Sequence, residues 1–168
     1  MLYVLWCNVK VLLQDIKKIE TEALIVGFFE DIRPLKGLAG ELDWLLCGAL
    51  SSLIINKKLR GSLGDMALLT SQGKLPTQKI FMVGLGRNAA FSSSVLRSVT
   101  KTAAASALGA GVQRAAIEFF LSFDARYDRS VLAFSEGLSQ GVKGRSFDVS
   151  LLAPDAAVYE KIARLLDR

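Results

Sequence analysis

The chain has 168 residues, 51% of them hydrophobic and 22% charged, and a net charge of +5. That is enough apolar material for the core of one domain spanning 1–168 and too much for disorder, yet no window reaches the roughly 18 unbroken apolar residues of a membrane helix. There is no histidine and there are only two cysteines, Cys7 and Cys47, which excludes Ser–His and Cys–His nucleophile pairs, imidazole bases, His-ligated zinc and a disulfide framework.

In chain order, the apolar start Met1–Trp6 lacks a basic leader and a small-residue cleavage site. It reads as an edge strand or tail and not as a signal peptide, so a cytoplasmic chain with reduced thiols is expected. Asn8–Leu13 reads as a strand and Asp15–Glu20 as a polar connection. Ala23–Phe29 is apolar throughout, the mark of a strand covered on both faces. Glu30, Asp31, Arg33 and Pro34 end it. Leu42, Leu45, Leu46, Ala49, Leu50, Leu53 and Ile54 recur at helical spacing, which predicts one helix over Glu41–Ile55. Glu41 and Asp43 are placed in its first turn, and Trp44, at the edge of the stripe, is predicted to pack in the core.

Asp65–Thr70 and Lys79–Gly84 follow as strands joined by a short loop or hairpin containing Gly73 and Pro76. Ser92 caps a second helix running to about Leu108, stopped by Gly109 and Gly111. Ala115–Leu121 is a further buried strand, Asp128–Leu138 a helix and Phe147–Leu152 a strand. Asp155 caps a last helix carrying Val158, Ile162, Leu165 and Leu166. Strands alternating with helices predict an α/β fold, a three-layer sandwich around a mixed sheet.

The positive excess is concentrated. Residues 66–117 hold no acid and six bases, Lys74, Lys79, Arg87, Arg97, Lys101 and Arg114. Such segregation attracts phosphates or acidic partners, although a solvated basic face without a partner is the commoner meaning. Two candidate sites follow. The Gly84-Leu85-Gly86-Arg87 turn lies between a strand and a helix, where backbone N–H groups, the Arg87 guanidinium and the Ser92 hydroxyl could meet a phosphate. It lacks the third glycine of a dinucleotide fingerprint, and a plain tight turn and helix cap is the more frequent use of such a sequence. Arg97 and Lys101, one helical turn apart, could touch a nucleic-acid backbone, although such a pair more often only solvates a helix. No cofactor, metal ligand set or catalytic residue is predicted.

Several segments carry a resemblance. They are Glu22-Ala23-Leu24-Ile25-Val26-Gly27, the acid pair Glu30-Asp31, Gly40-Glu41-Leu42-Asp43, the Gly61–Asp65 turn, Leu75-Pro76, Val83-Gly84-Leu85-Gly86-Arg87 and Phe134-Ser135-Glu136-Gly137. Their order and spacing resemble the N-terminal domain of the leucyl aminopeptidases, metal-dependent exopeptidases of peptidase family M17. The resemblance implies a macro-domain-like fold with a mixed, mostly parallel sheet between helices. It also implies that the family's two-metal site, built from a lysine, aspartates and a glutamate around an Asn-Thr-Asp-Ala-Glu-Gly-Arg signature, belongs to a domain beyond this one. Nothing of that kind occurs in the chain. A non-catalytic module is therefore expected, meeting a protein partner or a second copy of itself. An ADP-ribose-like phosphate ligand is the first alternative and weak DNA binding the second.

Overall fold

A computed structural model of the protein describes residues 7–13, 15–120 and 127–166. The tail expected at Met1–Trp6 lies outside the described residues, as does Leu121, but the strand expected to reach Leu121 already ends at Glu118. Six strands form one sheet: β1 (Cys7–Leu12), β2 (Ala23–Phe28), β3 (Met66–Thr70), β4 (Lys79–Gly84), β5 (Arg114–Glu118) and β6 (Phe147–Leu152). Their order is β1-β6-β5-β2-β4-β3, parallel throughout except for β3, which pairs antiparallel with β4 as the hairpin reading requires. The fold is the expected α/β sandwich.

β2 sits inside the sheet, and all six of its residues are buried. Its pleat sends Leu24, Val26 and Phe28 to one face and Ala23 and Ile25 to the other. The first face is covered by α1 (Gly37–Leu45) and α2 (Ala49–Ile55) through Ala39, Leu42, Leu46 and Leu50. The second is covered by α3 (Ser93–Gly109), α4 (Tyr127–Val142) and α5 (Ala156–Leu166). Ser92 Oγ caps α3 at Val95 N (3.4 Å), and Asp155 Oδ1 caps α5 at Val158 N (2.8 Å), as the sequence predicts. At the β1–β6 edge the first layer meets only the C-terminal ends of the strands, through Leu12 and Leu152. There Cys7, Val9, Phe147 and Val149 point into the core, while Asn8, Lys10 and Asp148 face water.

The single helix expected over Glu41–Ile55 is two helices bent by 104°. The chain enters helix early, at Gly37, and leaves it at Leu46. Gly48 N donates back to Asp43 O (2.8 Å), with Cys47 and Gly48 both at positive φ, 56° and 80°. This is a left-handed helix stop of the Schellman kind. The Asp43 carboxylate then accepts the Ser51 N–H (3.0 Å) and the Ser51 hydroxyl, satisfying the start of α2. The bend keeps Leu42, Leu46 and Leu50 buried. Each such leucine contributes about 1.5–3 kcal/mol, more than the roughly 1 kcal/mol of an interrupted helical hydrogen bond. Trp44 is the correction that follows: the bend leaves it 75% exposed and out of the core.

α3 and α4 approach closely because α4 presents glycines to the α3 backbone. A Cβ at Gly137 would stand 2.4 Å from Arg97 O, and one at Gly141 would stand 2.6 Å from Lys101 O. Helix propensity alone favours alanine over glycine by about 1 kcal/mol. Gly137→Ala is nevertheless expected to destabilise the fold by about 1–2 kcal/mol, because the added carbon meets backbone and not a movable side chain. Gly109→Ala, where nothing lies within 4 Å, is the control and should be neutral or stabilising. Urea midpoints decide the matter, and equal midpoints for the two variants would refute the close packing.

Candidate functional site

The parallel strands β1, β6, β5, β2 and β4 all end at one edge of the sheet, where the loops leading into α1, α3 and α5 gather. At the end of β5 stands Glu118. Its Oε2 accepts the Gly27 N–H of neighbouring β2 (3.0 Å), and the carboxylate also accepts the Leu38 N–H in the first turn of α1. Gly37, at φ 56°, turns the chain into that helix, and a side chain there would begin 3.9 Å from Glu118 Oε1. Burial pushes the Glu118 carboxyl up to about 7, while the two amide bonds pull the other way.

Glu118 lines an open cleft of about 530 Å³ together with Asp15, Glu41, Leu13, Leu152 and Pro154. The size is that of a small-molecule site. Its described lining carries three acids and no base.

The Gly84–Arg87 turn lies at the same edge, beside the acid pair Glu30-Asp31. The amides of Gly84, Leu85 and Gly86 are already engaged. Gly84 N donates to Asp65 O (2.8 Å), Leu85 N to Phe28 O (3.0 Å) and Gly86 N to Gly61 O (2.9 Å). Gly84 packs so tightly on the Gly61–Asp65 turn that a Cβ would lie 2.1 Å from Ser62 O. Asn88 N, which opens the next helical turn, donates to Asp31 Oδ1 (2.9 Å), and Arg87 Nε lies 3.8 Å from Glu30 Oε1. Ser92 Oγ is occupied by the α3 cap. The expected cradle of free amides at Gly84 and Gly86 is therefore absent. The glycines serve backbone packing, and Arg87 and Ser92 are the members left with side-chain access to solvent.

The basic middle of the chain is likewise dispersed. Arg97 Nε lies 2.6 Å from Glu136 Oε2 on α4, and Arg114 Nε lies 3.1 Å from Glu22 Oε1. Lys79 Nζ reaches Ala110 O and Lys74 Nζ reaches Cys47 Sγ. The expected Arg97–Lys101 phosphate pair thus loses its first member to Glu136, and Lys101 remains exposed on α3. Among the described residues no three of His, Cys, Asp and Glu gather to hold a metal ion.

The sequence pattern of the cytosol aminopeptidase family, N-terminal domain, matches residues 25–142. The chain belongs to that family. A probable cytosol aminopeptidase of Geobacter sulfurreducens is 37% identical over 137 residues, 81% of this chain and 27% of that one. Another, of Geotalea uraniireducens, is 33% identical over 141 residues, 82% and 27%. The chain thus spans about a quarter of the length of the curated relatives it matches. Among solved structures, a tomato leucine aminopeptidase mutant superposes over 95% of this chain and 34% of its own (20% identity, TM-score 0.72). An Oceanobacillus iheyensis macrodomain with ADP superposes over 95% and 90% (12% identity, TM-score 0.76). At these identities the structural likeness shows the fold alone, and that fold is the macro-domain-like one expected.

Within this family domain, Glu118 is the residue that sequence reasoning missed. The one signal was an ionisable side chain inside the apolar run Ala115-Ala116-Ile117-Glu118-Phe119-Phe120. Its folded pKa lies above the ordinary 4.5, so the folded state holds the proton more tightly than the unfolded one. Its contribution to stability is full below about pH 4.5 and declines as pH rises towards 7. Glu118→Gln should flatten that decline, giving a variant more stable than the parent above pH 7 by on the order of 2 kcal/mol. Urea midpoints from pH 4.5 to 8 check this. Parallel pH curves for the two proteins would disprove it.

Proposed function

We propose that this domain acts by contact: a non-catalytic interaction or regulatory module that associates with metal-dependent aminopeptidases of its family, or with a second copy of itself. The observation that carries the reading is Glu118. Its carboxylate occupies the amides of Gly27 and Leu38 at the mouth of the cleft, where an anionic ligand would otherwise find its donors. Among the described residues no three of His, Cys, Asp and Glu gather to hold a metal ion, and this supports a reading without metal-activated water.

The surface offers contact instead. The α1–α2 corner exposes Trp44 (75%), which borders an apolar cleft of about 730 Å³ with Pro34, Leu35 and Leu45, and the far end of α2 exposes Ile55. An exposed tryptophan beside an apolar hollow is the residue type that most often anchors a protein interface.

A small phosphate ligand is the second reading. It is favoured by the cleft's size and by the fold shared with a macrodomain solved with ADP, and opposed by the acids that line it. DNA binding through Arg97 and Lys101 ranks third, since Arg97 is paired with Glu136.

The deciding experiment is sedimentation of the pure chain, alone and mixed with a full-length cytosol aminopeptidase. A self-associated or mixed species is expected, weakened about tenfold in Trp44→Ala, equivalent to about 1.4 kcal/mol. Leucyl-substrate turnover by the pure chain with manganese or zinc would overturn the reading, as would a strict monomer that leaves the enzyme's sedimentation and rate unchanged. Titration with ADP-ribose should give no heat at millimolar ligand. Heat that Arg87→Ala abolishes would favour the second reading over the first.

A further inference from the structure

The two cysteines of the chain live in opposite surroundings. Cys7 is buried in β1, and burial, with a smaller contribution from Asp148, pushes its thiol up to about 11. Cys47 is exposed at the α1–α2 corner. The loop between β3 and β4 brings Lys74, 27 residues further along, against it, with Nζ 2.8 Å from Sγ.

That distance is no longer than an ordinary N–H···O hydrogen bond, about 2.9–3.0 Å, although sulfur is the larger acceptor. It also lies inside the roughly 3–3.5 Å at which two groups count as poised to react. We propose that Cys47 and Lys74 form an oxidation site, in which hydrogen peroxide converts the pair into a covalent sulfur–nitrogen cross-link.

The chemistry takes two steps. The Cys47 sulfur attacks one oxygen of hydrogen peroxide and the O–O bond breaks. The other oxygen leaves as water with the thiol proton, giving a sulfenic acid. The neutral amine of Lys74 then attacks that sulfur. The S–O bond breaks, and the hydroxyl departs as water with a proton from nitrogen. One thiol, one amine and one peroxide thus give one S–NH link and two waters; the sulfur loses two electrons and the peroxide gains them. Sulfenic acids condense in this way with backbone nitrogen, and a lysine amine already in contact is the better-placed nucleophile. Among the described residues no second exposed cysteine competes. The link ties the α1–α2 corner to the β3–β4 loop at the rim of the apolar cleft that Cys47 lines with Trp44. It is independent of any partner.

Treating the full chain with hydrogen peroxide and mapping its peptides by mass tests this. The expected product has lost two hydrogens, about 2 Da, and joins the Cys47 and Lys74 peptides, with dithiothreitol restoring the parent mass. A joined pair retaining one oxygen, formed with a second equivalent of peroxide, supports the same pairing. Lys74→Arg keeps the charge but should stop at a dimedone-reactive Cys47, and Cys47→Ser should give no link. Cys7 serves as the unreactive control. The proposal is overturned if wild type and Lys74→Arg accumulate the same oxygenated Cys47 with Lys74 free. An unreacted Cys47, or a Cys47 disulfide dimer, overturns it as well.

Discussion

A parallel sheet collects unpaired backbone donors at one edge, because strand ends and helix starts meet there. In this protein the chain fills that edge itself, and the central contact is the Glu118 carboxylate bridging Gly27 of β2 and Leu38 of α1. Hydrogen bonds to a charged group contribute about 1.5–3 kcal/mol each, which offsets much of the cost of burying the carboxylate. The balance leaves the group titrating near neutrality. Because Leu38 lies in the first turn of α1, this contact also fixes where the α1–α2 layer begins. The position of the exposed Trp44 corner depends on it in turn.

Most of the architecture was legible in the sequence because burial in a sheet writes a simple pattern. The unbroken apolar run of β2 and the alternation of β1 and β6 could hardly mean anything else. The bend between α1 and α2 escaped because Leu42, Leu46 and Leu50 keep helical spacing across it. Periodicity records which side chains face the core, not whether the backbone between them is continuous. The break was written instead in Gly48 and in the reach of Asp43 to Ser51. Trp44 was misplaced for the same reason.

The candidate site was far less legible, since what decides it lies in distant segments. A Gly-x-Gly turn reads as a phosphate cradle until the acceptors for its amides are known, and those are Phe28, Gly61 and Asp65. The acid-free middle of the chain reads as a basic patch until its partners are seen. Glu22, Glu30 and Glu136 all lie outside that stretch, and the fold brings each to an arginine within it. Exposed ion pairs of this kind contribute at most about 1 kcal/mol to stability. Their larger effect is to cancel the local field that would draw a polyanion.

The same fold therefore leads to different chemistry according to which groups take the donors at the strand ends. Architecture sets where those donors emerge, and sequence decides whether they stay open to a ligand. Here one glutamate and one aspartate, Glu118 and Asp31, engage amides at that edge, and the glycines of the neighbouring turn are held by backbone. Among the described residues, the α1–α2 corner carries an exposed large apolar side chain, Trp44, beside an apolar hollow. It combines exposed apolar area with a reactive Cys47–Lys74 contact. On the proposed reading, contact with other molecules falls to that corner and not to the cleft.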